Sequence, residues 1–108
     1  MKLPTEIFGN VVVVHTPEEL GEDHAEQLVV FLTTQERSNV ILDIDGTEAI
    51  DSAGLASLLE SQEALREVDG DLRVATTNKV NRKILEITRL DQHLEVYDSV
   101  IDAVKSYV

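Results

Sequence analysis

The stretch of this chain best equipped for chemistry is Ile50-Asp51-Ser52-Ala53-Gly54-Leu55. It offers one hydroxyl beside one carboxylate, among small residues. A serine can act as a nucleophile when a base stands beside it. The usual strand-to-helix elbow for that role has glycine on both sides, as G-x-S-x-G. Here only the downstream Gly54 is present, and His15, His24 and His93 are scattered in no arrangement that pairs with Ser52. A serine hydrolase is therefore disfavoured, and the chain is not read as an enzyme. On the residues alone, Ser52 is an N-cap that satisfies one open N–H group at the start of a helix.

Other candidates are weaker. Asp43-Ile44-Asp45-Gly46 resembles part of a calcium loop, but Ile44 falls in a strand pattern and the remaining ligand spacing is missing. The histidines lack metal-ligand spacing, so neither a metal nor a cofactor is expected. Lys79, Arg82, Lys83 and Arg89 gather positive charge. They form either a solvated face paired with Glu86 or a contact for an acidic partner. Ser52, Ala53, Ala56 and Ser57 are small, and a small outer face lets another protein approach closely.

These residues need elements to place them. Val40–Ile44 is an apolar, β-branched run and reads as a central strand. Asp45-Gly46-Thr47 is turn chemistry. A helix over Ala53–Val68 follows, with Leu55, Leu58, Leu59 and Leu65 at helical spacing. Ser52 is thus expected exposed at a helix N-terminus, where ligands gather in open α/β sheets. Upstream, Leu3–Phe8 reads as a short edge strand and Val11–Val14 as a buried one. Thr16-Pro17-Glu18-Glu19 reads as a helix entry with a capping box. Leu20, His24, Leu28, Phe31, Leu32 and Gln35 then share one face of the first helix.

Downstream, Asp69-Gly70-Asp71 is a break and Leu72–Thr76 a strand. Thr77-Asn78 can cap a third helix in which Val80, Ile84 and Ile87 share a face. Leu94–Tyr97 is a short strand. Asp98 or Ser99 caps a last helix with Ile101, Val104 and Val108 inward. Strands alternating with helices predict one α/β domain over residues 1–108, with a mixed, mostly parallel sheet of four to five strands and about four helices.

At 108 residues, with 43% hydrophobic side chains, no Trp and no Cys, the core must be aliphatic and unstapled. The net charge of −12 repels phosphate backbones and anionic bilayers, so neither nucleic acid nor membrane insertion is expected. No stretch approaches a membrane span or a signal peptide, and the expected location is cytoplasmic.

The stretch from Val40 to Val104 resembles a STAS domain, in particular the bacterial anti-sigma factor antagonists. The resemblance rests on the strand before Ile50-Asp51-Ser52-Ala53-Gly54-Leu55, then on the Gly70 break with the Leu72–Val74 strand. Val80-x-x-x-Ile84-Leu85-Glu86-Ile87-Thr88-x-Leu90-Asp91 and Val96-Tyr97-Asp98-Ser99-Val100 complete it. The resemblance implies a module that binds an anti-sigma factor with serine kinase activity. That partner phosphorylates the serine matching Ser52 and ends the binding, and a serine phosphatase restores it. The partner-binding residues it implies are Asp23, Asp51, Ser52, Ala53, Gly54, Leu55 and Ala56. The alternative is an unphosphorylated STAS scaffold in a stress-signalling or transporter-associated assembly. Three departures stand out. Ala53 replaces the second hydroxyl of many relatives, Gly21 falls where a G-x-L-D-like turn would place its aspartate, and the N-terminal third matches only in pattern.

Overall fold

The computed structural model describes all 108 residues. The chain runs β1 (Thr5–Phe8), β2 (Val11–His15), β3 (Glu19–Leu20), α1 (Ala25–Thr33), β4 (Asn39–Asp43), β5 (Ala49–Ile50) and α2 (Ser52–Arg66). It continues with β6 (Asp71–Ala75), α3 (Lys79–Ile87), a 3-10 turn (Leu90–Gln92), β7 (Val96–Tyr97) and α4 (Val100–Lys105). Five strands form one sheet in the order β1-β2-β4-β6-β7. The β1–β2 hairpin is antiparallel and the other pairings are parallel. Gly9, at φ +62°, makes the hairpin turn that a side chain would strain. This is the α/β, mostly parallel architecture that alternating strands and helices predict.

Both faces of the sheet are covered, so the central strands are apolar throughout. Val12, Val14, Val40, Leu42, Leu72 and Val74 pack against Leu28 and Leu32 of α1, Leu58 and Leu65 of α2 and Leu85 of α3. On the opposite face Val11, Val13, Ile41 and Ala75 meet Ala103, Val100 and Val104 of α4. Tyr107 locks that layer, its single hydroxyl proton shared between the carbonyls of Val40 and Asp71, each 2.9 Å away.

Several expectations are corrected. Thr16–Glu19 does not start a helix. The Thr16 hydroxyl is drawn to Thr47 and to the Asp43 carbonyl instead of to a helix amide. Glu19–Leu20 becomes β3, paired in parallel with Ala49–Ile50 of β5 in a separate two-stranded ribbon. Leu20 is therefore buried from a strand, α1 begins at Ala25, and Gln35 lies beyond the helix.

The inner face of α3 is Asn81 and Leu85; Val80 and Ile87 are 68% and 70% exposed. Asn81 is buried because its amide donates to the carbonyls of Ile44 and Thr47 at 2.9 Å each, bonds that no apolar side chain could make. Ile101 of α4 and Val108 beyond its end likewise point to solvent, while Ala103 takes the core. Ser57 is buried rather than outward, its hydroxyl donating to the Gly54 carbonyl at 2.6 Å.

Candidate functional site

The β4–β5 connection and the β6–α3 turn meet at the C-terminal ends of the parallel strands. Asp45 ties them together. Its Oδ1 accepts the Thr76 hydroxyl at 2.7 Å and the Thr77 amide at 2.6 Å, and its Oδ2 accepts the Thr77 hydroxyl at 2.7 Å. Burial raises the Asp45 pKa, but these bonds outweigh it and hold the carboxyl below its ordinary value. Asp43 accepts from the His15 ring at 2.9 Å and from the Asp45 amide at 3.0 Å. The Asp43–Asp45 run is thus occupied in holding loops, and no three His, Asp or Glu side chains converge as a metal site would require.

From that anchored loop, β5 leads directly into α2. Asp51 is extended, with ψ −179°, and caps the helix, its Oδ1 accepting the Gly54 amide at 2.9 Å. The cap is therefore Asp51 and not Ser52, which is a correction. Asp51 Oδ2 accepts the Glu22 amide at 3.0 Å. The Gly54 and Glu22 amides hold the Asp51 pKa below its usual value.

Ser52 is the first residue of α2 and is exposed. The cap leaves its hydroxyl unused. Ala56, one turn on, is also exposed, and Ala53 and Leu55 are half-buried. Asp23 lies exposed in the turn after β3, which Asp51 draws to the start of α2 through Glu22. Glu19, Gly21, Glu22, Asp23, His24 and Asp51 line one shallow, acidic concavity there. Gly54 is buried and offers a partner no surface. A Cβ at that position would meet the Leu20 carbonyl oxygen at 2.1 Å, so β3 can pass α2 only over a glycine.

His15 takes no part in this site, because its ring is held between Glu6 at 2.6 Å and Asp43 at 2.9 Å. On α3, Arg82 and Lys83 lie 3.9 and 3.8 Å from Glu86, and Arg82 also reaches Asp98 at 3.2 Å. The sequence reading missed the β3–β5 ribbon and with it the contact between Asp51 and Glu22. Two-residue strands carry no periodicity. The only trace was a glycine, Gly21, where a side chain would meet Asp51.

No helix is long and apolar enough to cross a membrane. A family model described as the STAS domain matches residues 2–103. A Thermotoga neapolitana protein named as a candidate anti-sigma factor antagonist is 23% identical over 106 residues, covering 94% of each chain. A Thermotoga maritima protein so named superposes with a TM-score of 0.83 at 20% identity, over 96% of this chain and 92% of that one. The anti-sigma factor antagonist SpoIIAA superposes in its unphosphorylated form with a TM-score of 0.77 at 18% identity, over 98% of this chain and 96% of that one. The phosphorylated form of the Bacillus SpoIIAA gives 0.71 at 18% identity, over 99% of this chain and 100% of that one.

Proposed function

The chain belongs to the STAS domain family, which its model matches over residues 2–103, and within that family we propose that it is an anti-sigma factor antagonist switched by phosphorylation of Ser52. It binds an anti-sigma factor that is also a serine kinase, through the start of α2 and the turn that carries Asp23. Binding sequesters that factor and frees a sigma factor in the cytoplasm. The observation that carries the reading is the exposed Ser52 hydroxyl, which the helix cap does not use and which small residues flank. The anti-sigma factor antagonist named among its relatives, and the existence of SpoIIAA in a phosphorylated form, support the same assignment.

In the modification step Ser52 Oγ attacks the γ-phosphorus of ATP held by the kinase. The Oγ–P bond forms, the bond to the leaving ADP breaks, and the hydroxyl proton passes to a base of the kinase. The product gains about −1.5 to −2 charge at a helix N-terminus, where an anion is tolerated. The fold therefore survives, and the effect falls on binding. Hydrolysis by a serine phosphatase restores the hydroxyl.

The test is intact mass after incubation with ATP and each candidate kinase of the same genome. The expected result is one added phosphoryl group, mapped to Ser52 and absent from Ser52→Ala. Binding without any added mass would instead identify an unmodified scaffold.

A further inference from the structure

The Gly21–His24 turn and the start of α2 come from distant parts of the chain, and one side chain holds both. Asp51 presents Oδ1 to the Gly54 amide and Oδ2 to the Glu22 amide, at 2.9 and 3.0 Å. The contact is filled. A Cβ on Gly21 would stand 2.8 Å from Asp51 Oδ2. Beneath it the Asp51 amide donates to the Leu20 carbonyl, and the His24 amide donates to the Gly21 carbonyl. The residue that follows Asp51 is Ser52.

We infer that Asp51 is the positioning residue through which a phosphoryl group on Ser52 reaches the Gly21–His24 turn, by losing the Gly54 and Glu22 amides together. The inference rests on the phosphorylation reading above and adds how that modification is felt beyond the modified residue. A helix start offers few free N–H donors, and they attract anions. A phosphoserine with about −1.5 to −2 charge competes for them against a carboxylate of single charge. It also repels that carboxylate from the adjacent position. Asp51 has no neutral way to yield, because its two oxygens serve opposite segments and a rotation that frees one amide misaligns the other. Modification thus loosens the segment that carries Glu22 and Asp23, and the docking face changes shape as well as charge.

Phosphoserine placed at position 52 during translation gives the modified chain without any kinase. Amide spectra and hydrogen exchange are then compared for this chain, the unmodified chain, Ser52→Ala, Gly21→Ala and Asp51→Asn. In the phosphoserine chain the Glu22 amide proton is expected to move upfield and exchange roughly tenfold faster, the scale of one hydrogen bond to a charged group. Ser52→Ala leaves it as in the unmodified chain. Gly21→Ala, which drives a methyl group against Asp51 Oδ2 from the far side, reproduces the Glu22 signature with no charge at position 52. Asp51→Asn has one acceptor oxygen in place of two, and phosphoserine on that background adds little further change at Glu22. A cap that acted on α2 alone would not move Glu22 selectively.

A phosphoserine chain whose Glu22 amide keeps its shift and protection overturns the inference. If that chain nonetheless loses the anti-sigma partner, the switch stands and only the relay is wrong. If Glu22 is released but the partner binds as before, the relay stands and the switch reading falls.

Discussion

Replacing Ser52 by alanine and by aspartate separates stability from binding, because the helix cap is Asp51 and the proposed binding contact is Ser52. Asp51 caps α2, so Ser52→Ala removes a hydroxyl that the helix does not use. The expected change in stability is within about 0.5 kcal/mol, as for a surface substitution away from any special feature. For a domain of this size that is a shift in Tm of roughly 2–4 °C at most. Ser52→Asp gains about 0.3–1 kcal/mol from the helix dipole. It loses a similar amount to the Asp51 carboxylate one residue away, since two unit charges in water at 4 Å repel by about 1 kcal/mol. Its net stability is also near that of the unmodified chain.

Binding responds differently. At a docked interface the new charge faces an effective dielectric near 20, where a like charge at 4 Å costs about 4 kcal/mol. That is up to roughly a thousandfold in Kd. Thermal melts and calorimetric titration with the anti-sigma partner, run on the same preparations, should show three similar Tm values. Ser52→Ala should bind like the parent chain and Ser52→Asp should bind far more weakly. If Ser52→Asp bound as tightly as the parent while Ser52→Ala failed, the hydroxyl would be a required contact and the electrostatic reasoning would be refuted.

Three further outcomes follow from the same geometry. Gly54→Ala places a methyl group where the Leu20 carbonyl stands at 2.1 Å, so urea titration should show a loss on the order of 1–3 kcal/mol, the usual cost of overpacking; an unchanged midpoint would mean that β3 yields freely. Asn81→Leu removes the donor to the Thr47 carbonyl, while the Ile44 carbonyl keeps the Thr47 amide at 3.0 Å, and should cost about 1–3 kcal/mol in the same assay for the one buried group left unpaired. For His15, burial pulls the pKa down, but the hydrogen bonds and charges of Glu6 and Asp43 raise it further, to a net value above 6.5. The protonated ring therefore stabilises the fold fully below the unfolded pKa of about 6.5, and that contribution fades as pH rises through the higher folded value. His15→Gln should flatten this decline in melts between about pH 6 and pH 8, and parallel profiles for the two proteins would reject the Glu6–His15–Asp43 contact as its source.

The long elements were legible because their residues carry a period. The four valines of β2, the Val40–Leu42 run and the leucines of α2 each name their element and place the strand-to-helix connection that ends at Ser52. Legibility failed where a polar side chain does core work or where an element is too short to repeat. In α3 the apolar triplet Val80, Ile84 and Ile87 has helical spacing, yet it is Asn81 that turns inward, where its amide donates to the Ile44 and Thr47 carbonyls and is the donor that the Thr47 carbonyl needs. In Thr16-Pro17-Glu18-Glu19 the local pattern of a capping box loses to the hydroxyl of Thr47, which is 31 residues away in sequence. The β3–β5 ribbon carries no signal of its own, so the turn with Asp23 could be placed beside Ser52 only by the fold.

The spacing of Asp51, Ser52 and Gly54 has a physical reason that needs no appeal to relatives. The position before the helix must supply an acceptor for an open amide, and Asp51 does so with Oδ1 to Gly54 while its Oδ2 holds the Glu22 amide of the neighbouring turn. The third helical residue must let the Leu20 carbonyl pass, and only glycine leaves that room. Of the two residues between them, Ala53 is half-buried and Ser52 exposed. Position 53 is partly enclosed, whereas a group added at position 52 starts from an exposed side chain. Among these four residues the fold thus leaves one place where charge can be added and removed without unfolding the helix behind it, and the residue found there bears a hydroxyl.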